Sequence, residues 1–238
     1  MSSLSSRSPL QLREVTIERP YWSSAAGSLL YRCGQTVMLC TASIEESVPP
    51  WLVGSGKGWV TAEYSMLPGS TPQRKRRDRD GKVDGRTSEI QRLVGRSLRA
   101  VVDLQQLGER TITVDCDCLK ADGGTRTAAI TGGFVALFHA LRTIFPALTI
   151  GDNSPLRDSV AAVSVGIVRG DIYLDLDYPL DVAADVDMNV VMTGSGRYVE
   201  VQGTGEEATF DEQQLASLLK LAKHGIEQLT EIQRAALL

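Results

Sequence analysis

Asp122-Gly123-Gly124-Thr125-Arg126-Thr127 gathers the parts of an anion-binding loop into six residues. Two glycines let the backbone approach a ligand closely. A helix starting just after them presents unpaired N–H groups and the positive end of its dipole. Thr125 and Thr127 add hydroxyls, and Arg126 adds a permanently charged fork of donors suited to phosphate oxygens. The same segment also reads as a glycine turn with a threonine N-cap before an ordinary helix. A second glycine–arginine–threonine sequence, Asp84-Gly85-Arg86-Thr87, opens another expected helix. Two helix N-termini of this kind are able to converge on one phosphate, with Arg86, Gly124, Thr125 and Arg126 as its ligands.

The acidic segment from Asp175 to Asn189 holds five carboxylates within thirteen residues: Asp175, Asp177, Asp181, Asp185 and Asp187. Bringing them together is costly unless a cation compensates. Hard oxygen donors suit Mg²⁺ or Mn²⁺, which keeps waters and takes one or two carboxylates plus substrate phosphate. Asp175 and Asp177 read as the wet face of a strand, whereas Asp181 and Asp187 flank a loop at strand ends. The latter two are therefore the candidate metal ligands and, with Arg126, the candidate catalytic residues.

The net charge is −4, yet residues 74–99 hold ten Lys/Arg against four acids. That local balance of +6 leaves −10 for the rest, an asymmetry that suits a dedicated polyanion site. Arg74, Lys75, Arg76, Arg77, Arg79 and Lys82 lie in a segment with little apolar content. They can track a phosphodiester backbone, with Arg92, Arg96 and Arg99 on the following helix as the fixed part of the channel. Solvated surface charge is the plainer reading of such a run. Nucleophile chemistry has little support: the chain has two histidines, His139 and His224, both read as structural, and no serine in a nucleophile-elbow sequence.

The elements that must position these residues follow from periodicity. Val15–Glu18, Gly27–Arg32, Gln35–Ile44 and Gly58–Tyr64 read as strands, followed by a basic loop over 68–86. A helix is expected from about Thr87 to Asp103, with Ser88 and Gln91 spaced as a capping box and the arginines opposite an apolar stripe. The strand Arg110–Leu119 delivers the chain to the glycine loop and to a helix ending before Pro146. Val160–Val168 and Ile172–Tyr178 form one expected hairpin, Met188–Met192 and Tyr198–Gln202 another, and Asp211–Leu237 a closing amphipathic helix. Alternation places Cys116 and Cys118 on one strand face, and all four cysteines read as buried free thiols. This order indicates a mixed α/β fold, α+β-like, rather than a doubly wound parallel sheet. With no linker or repeat, one domain over 1–238 is expected, with a flexible arm at 1–11. No apolar run reads as a membrane span, and the serine-rich start lacks the apolar core of a signal peptide. A soluble cytoplasmic protein is the expectation.

Together these segments resemble the ribonuclease PH family, phosphate-dependent exoribonucleases that trim tRNA 3′ ends. The resemblance runs from about Leu12 to the C-terminus. It is carried by Gly58-Trp59-Val60-Thr61-Ala62-Glu63-Tyr64, Gly85-Arg86-Thr87 with Glu89-Ile90-Gln91-Arg92, Gly108-Glu109-Arg110-Thr111-Ile112 and Asp122–Thr127. It continues through Val160–Ile167, Asp187-Met188-Asn189-Val190-Val191-Met192 and Glu200-Val201-Gln202-Gly203-Thr204. The resemblance implies that Arg86, Gly124, Thr125 and Arg126 hold inorganic phosphate as co-substrate. It further implies that Asp181 and Asp187 serve metal-assisted chemistry, that Arg92 and Arg96 touch RNA, and that the chain forms a ring-shaped homohexamer. One departure stands at the start, where Ser8-Pro9-Leu10-Gln11 precedes Leu12-Arg13-Glu14-Val15 and the family usually has Gly-Arg. Two other readings compete: a non-catalytic RNA-binding ring subunit of an exosome-like assembly, and a hydrolytic metal-dependent nuclease.

Overall fold

The computed structural model describes residues 7–19, 24–77, 83–206 and 208–238. Its elements are β1 (Val15–Glu18), β2 (Gly27–Cys33), β3 (Thr36–Glu45), β4 (Trp59–Met66), α1 (Gly85–Arg99), α2 (Leu104–Leu107), β5 (Thr111–Lys120) and α3 (Thr125–Ile144). They continue with β6 (Val160–Val168), β7 (Asp171–Leu174), α4 (Tyr178–Val182), β8 (Val186–Thr193), β9 (Tyr198–Gly205) and α5 (Glu212–Ala236). Two sheets result, ordered β1-β2-β3-β5-β4 and β7-β6-β8-β9. β4 and β5 run parallel and every other pairing is antiparallel, so the mixed α/β expectation holds.

The parallel pair explains α1. A parallel partner requires a crossover, and α1 supplies it between β4 and β5, burying Ile90, Leu93, Val94 and Leu98. The apolar spacing in α1 therefore fixes its inner face and leaves Arg92 and Arg96 exposed. α3 is the central helix, in contact with strands of both sheets. It is apolar nearly all round, and by length and composition alone it could cross a membrane, a feature the sequence reading overlooked. Its apolarity has another cause here: 78% of its apolar window is buried inside the protein. Gly132 lets it sit close to the sheet, since a Cβ there would lie 2.8 Å from Cys40 Sγ.

Several boundaries move for physical reasons. α1 begins at Gly85 because Asp84 caps it, its carboxylate accepting from Thr87 N at 2.6 Å; the Ser88/Gln91 capping box does not form. A true capping box opens α5 instead, between Asp211 and Gln214. The strand expected through Tyr178 stops at Leu174, and Asp177 caps the short helix α4 by accepting from Leu180 N. Cys33, Cys40, Cys116 and Cys118 are free and buried, as expected. Of the arm expected at 1–11, residues 1–6 lie outside the described residues. Arg7 donates to the carbonyls of Leu174 and Asp175, and Pro9 O accepts from Leu174 N.

Candidate active site

α3 starts at Thr125 with Gly124 as its N-cap, in the left-handed region at φ 64°, and no side chain caps it. The two threonines turn elsewhere. Thr127 Oγ1 donates to Gly124 O at 2.9 Å, and Thr125 Oγ1 accepts from Tyr64 OH at 2.9 Å. The threonine N-cap is thus not realised, and the first-turn N–H groups of α3 keep their capacity to bind an anion. Gly123 is required for two reasons. Its φ is 72°, and a Cβ would lie 2.5 Å from Leu176 O.

Behind the loop stands a buried ion pair that the sequence reading missed. Asp175, expected on a wet strand face, is 3% exposed and has φ 56°. Both its oxygens accept from the Arg13 guanidinium, at 2.6 and 2.9 Å, and Arg13 N adds a third bond. Burial opposes the charge of each partner, yet the mutual hydrogen bonds and attraction prevail. Asp175 is held below the usual carboxylate range and Arg13 above the usual arginine range. Arg13 also donates to Asp122 O at 2.5 Å, and Thr36 Oγ1 donates to Gly123 O at 2.7 Å. β1, β2–β3 and the second sheet together hold the loop in shape. The only sequence signal was an arginine directly after Leu12 at a strand entry, Leu12-Arg13-Glu14-Val15.

A cleft of about 1390 Å³ opens in front of the loop. It is lined by Arg74, Arg86, Gly124, Thr125, Arg126, Asp181 and Asp187. Arg86 and Arg126 line the same cleft, and the charges of both act on Tyr64 and on Asp181. Burial nonetheless pushes the Tyr64 phenol up to about 12, so it stays protonated and donates to Thr125 at neutral pH. Asp181 is raised above the ordinary carboxylate range, first by desolvation and then by the negative charge of Asp187. Among the described residues no cluster of three or more His, Cys, Asp or Glu is arranged to hold a metal. Asp181 and Asp187, two carboxylates in one cleft, form the smaller donor set that Mg²⁺ typically uses.

Lys75 also lines the cleft, while most of the remaining expected RNA ligands lie elsewhere. Arg76, Arg77 and Arg92 are exposed and do not line the cleft. Arg96 is paired with Glu200 through two bonds of 2.6 and 2.8 Å. Arg99 donates to Val60 O at 2.7 Å and stacks 4.4 Å over Trp59, and burial lowers its pKa. Lys75 pairs with Asp84 at 3.3 Å. Arg79 and Lys82 lie outside the described residues. The histidines are structural: His139 Nε2 meets Ala236 O at 3.0 Å, and His224 meets Gln228 on α5.

Known proteins resemble this chain over nearly its whole length. Residues 11–142 match the model of the 3′ exoribonuclease family, domain 1, and residues 158–225 match its domain 2. Ribonuclease PH of Rhodopirellula baltica is 65% identical over 231 residues, 95% of this chain and 94% of that protein. Ribonuclease PH of Bacillus subtilis is 56% identical over 229 residues, 95% and 93% of the two chains. Among solved structures, rice (Oryza sativa) Rrp46 superposes with a TM-score of 0.78 at 17% identity, over 98% of this chain and 99% of that one. An Archaeoglobus fulgidus exosome with RNA bound to the active site gives 0.78 at 22%, over 94% and 90%. These two likenesses concern the fold.

Proposed function

The chain belongs to the ribonuclease PH family of 3′ exoribonucleases, and from that premise we propose how its cleft carries out phosphorolysis. The protein is a phosphate-dependent 3′-to-5′ exoribonuclease acting in tRNA processing, with inorganic phosphate as co-substrate. Arg86, Arg126, Thr125 and the first N–H groups of α3 clamp the attacking phosphate. One of its oxygens bonds to the phosphorus of the terminal nucleotide as the bond to the penultimate 3′ oxygen breaks in line. That oxygen leaves with the shortened RNA, and the terminal residue departs as a nucleoside diphosphate. One phosphorus–oxygen ester is exchanged for a phosphoanhydride of comparable energy, so the reaction also runs backward.

Asp181 and Asp187 would hold a divalent cation, Mg²⁺ or Mn²⁺, which when bound offsets charge on the transferring group. Arg74 meets the RNA strand entering the cleft, and the exposed Arg76, Arg77, Arg92 and Arg96 extend the basic surface beyond it, whereas Arg99 supports that surface from its place against Trp59. We further assign a cytoplasmic location and a homohexameric ring.

The observation that carries this reading is the meeting of Arg86, Arg126 and Thr125 with two aspartates in one cleft. A non-catalytic ring subunit has no use for that set. The test is Arg126→Ala. A charged hydrogen bond contributes about 1.5–3 kcal/mol, so kcat/KM for phosphate should fall about tenfold to a hundredfold. Phosphorolysis near the wild-type rate would remove the clamp from the account.

A further inference from the structure

Arg126 is the clamp residue whose orientation the structure explains, and the explanation lies outside the clamp. Its Nη2 donates to Glu89 Oε2 at 3.0 Å, while its Nε is buried without a hydrogen-bond partner. Orphaned buried donors are uncommon in folded proteins. Arg126 lines the cleft, and an anion drawn against its guanidinium would satisfy this donor. Glu89 is in turn fixed between two elements. It sits on α1, and its Oε1 accepts from Gln202 Nε2 on β9 at 3.4 Å. Gln202 also donates to Glu200 at 2.9 Å, and Glu200 holds Arg96. A continuous strut therefore runs from β9 through Glu89 to the Arg126 guanidinium.

We propose that Glu89 is a positioning residue for phosphorolysis, turning the Arg126 fork so that Nε–H and its neighbours face inorganic phosphate. The inference rests on the phosphate clamp assigned above. Two opposite effects of the carboxylate make it decidable. Its negative charge next to an anion site repels phosphate, so a charge that merely happens to be there weakens phosphate binding and its removal improves it. A carboxylate that aims the arginine does the reverse, because a misaimed guanidinium loses a charged hydrogen bond and its orientation.

The test compares Glu89→Ala, Glu89→Gln and Arg126→Ala in steady-state phosphorolysis, varying phosphate at saturating RNA and RNA at saturating phosphate. Glu89→Ala should raise the phosphate KM about tenfold and leave the RNA KM within about twofold. Glu89→Gln, which keeps an oxygen for Nη2, should recover most of the loss. Glu89 is partly exposed on a helix surface, so melting temperatures should stay close to wild type. A phosphate KM for Glu89→Ala that is unchanged or lower overturns the proposal, as does an equal rise in both KM values. If Arg126→Ala keeps its phosphate KM, the clamp itself fails. If Arg126→Ala loses phosphate and Glu89→Ala does not, only the positioning role fails.

Discussion

Asp181 illustrates how a side chain suited to function costs the fold. Desolvation in the cleft and the charge of Asp187 raise its folded pKa above 3.8. A carboxyl with a raised folded pKa destabilises the native state once the pH passes its unfolded value, and has no effect where both states are protonated. Asp181→Asn should therefore increase the free energy of unfolding at pH 7 and leave it unchanged below about pH 3.8, while abolishing phosphorolysis. Urea titrations at the two pH values check this. Protons and a divalent cation compete for the same oxygens, so the acid limb of the activity profile should move to lower pH as Mg²⁺ increases. The tyrosine behind Thr125 is a milder case. Tyr64→Phe removes one buried hydroxyl bond and should cost about 1 kcal/mol of stability, read as a shift in urea midpoint. At this scale the sequence displayed the arginines and the two aspartates by type and spacing. It could not display Glu89 or Asp175, whose roles depend on partners 37 and 162 residues away.

Elements, not single residues, hold the glycine loop. The segment entering β1 brings Arg13, the residue after β7 is Asp175, and β3 brings Thr36, each reaching the backbone of residues 122–124 directly or through Arg13. Breaking a buried ion pair by removing one partner typically costs about 3–5 kcal/mol, so Asp175→Asn should be strongly destabilising at pH 7. The sign with pH is the opposite of that at Asp181. The depressed folded pKa of Asp175 contributes stability above its unfolded value of about 3.8, lost as the pH falls through the lower folded value. The penalty of Asp175→Asn, measured by denaturant unfolding across pH, should thus shrink in acid. Helices with strong periodicity, such as α1 and α5, were legible from their stripes. α1 still started two residues earlier than its sequence suggested, since Asp84 outcompeted Ser88 for the cap. α4 was invisible because Asp177-Tyr178-Pro179 continues an apparent strand until Asp177 folds back on Leu180 N.

At the scale of the molecule, two sheets around one central helix bring Arg86 and Arg126, from two helix N-termini of one half, to Asp181 and Asp187 of the other. Residues 74–99 carry a basic excess on a chain that is acidic overall. RNA affinity should consequently fall steeply with salt, and its slope should lessen by about one for each phosphate-contacting arginine removed, a comparison that filter binding of Arg92→Ala makes directly. Light scattering of the intact protein checks the ring, with six chains per particle expected. The central claim is that phosphate, not water, is the nucleophile. The most direct measurement incubates the protein and Mg²⁺ with a 3′-extended tRNA, with and without inorganic phosphate, and identifies the mononucleotide product. Nucleoside diphosphates formed only when phosphate is present are the predicted result; nucleoside monophosphates released without phosphate would contradict it.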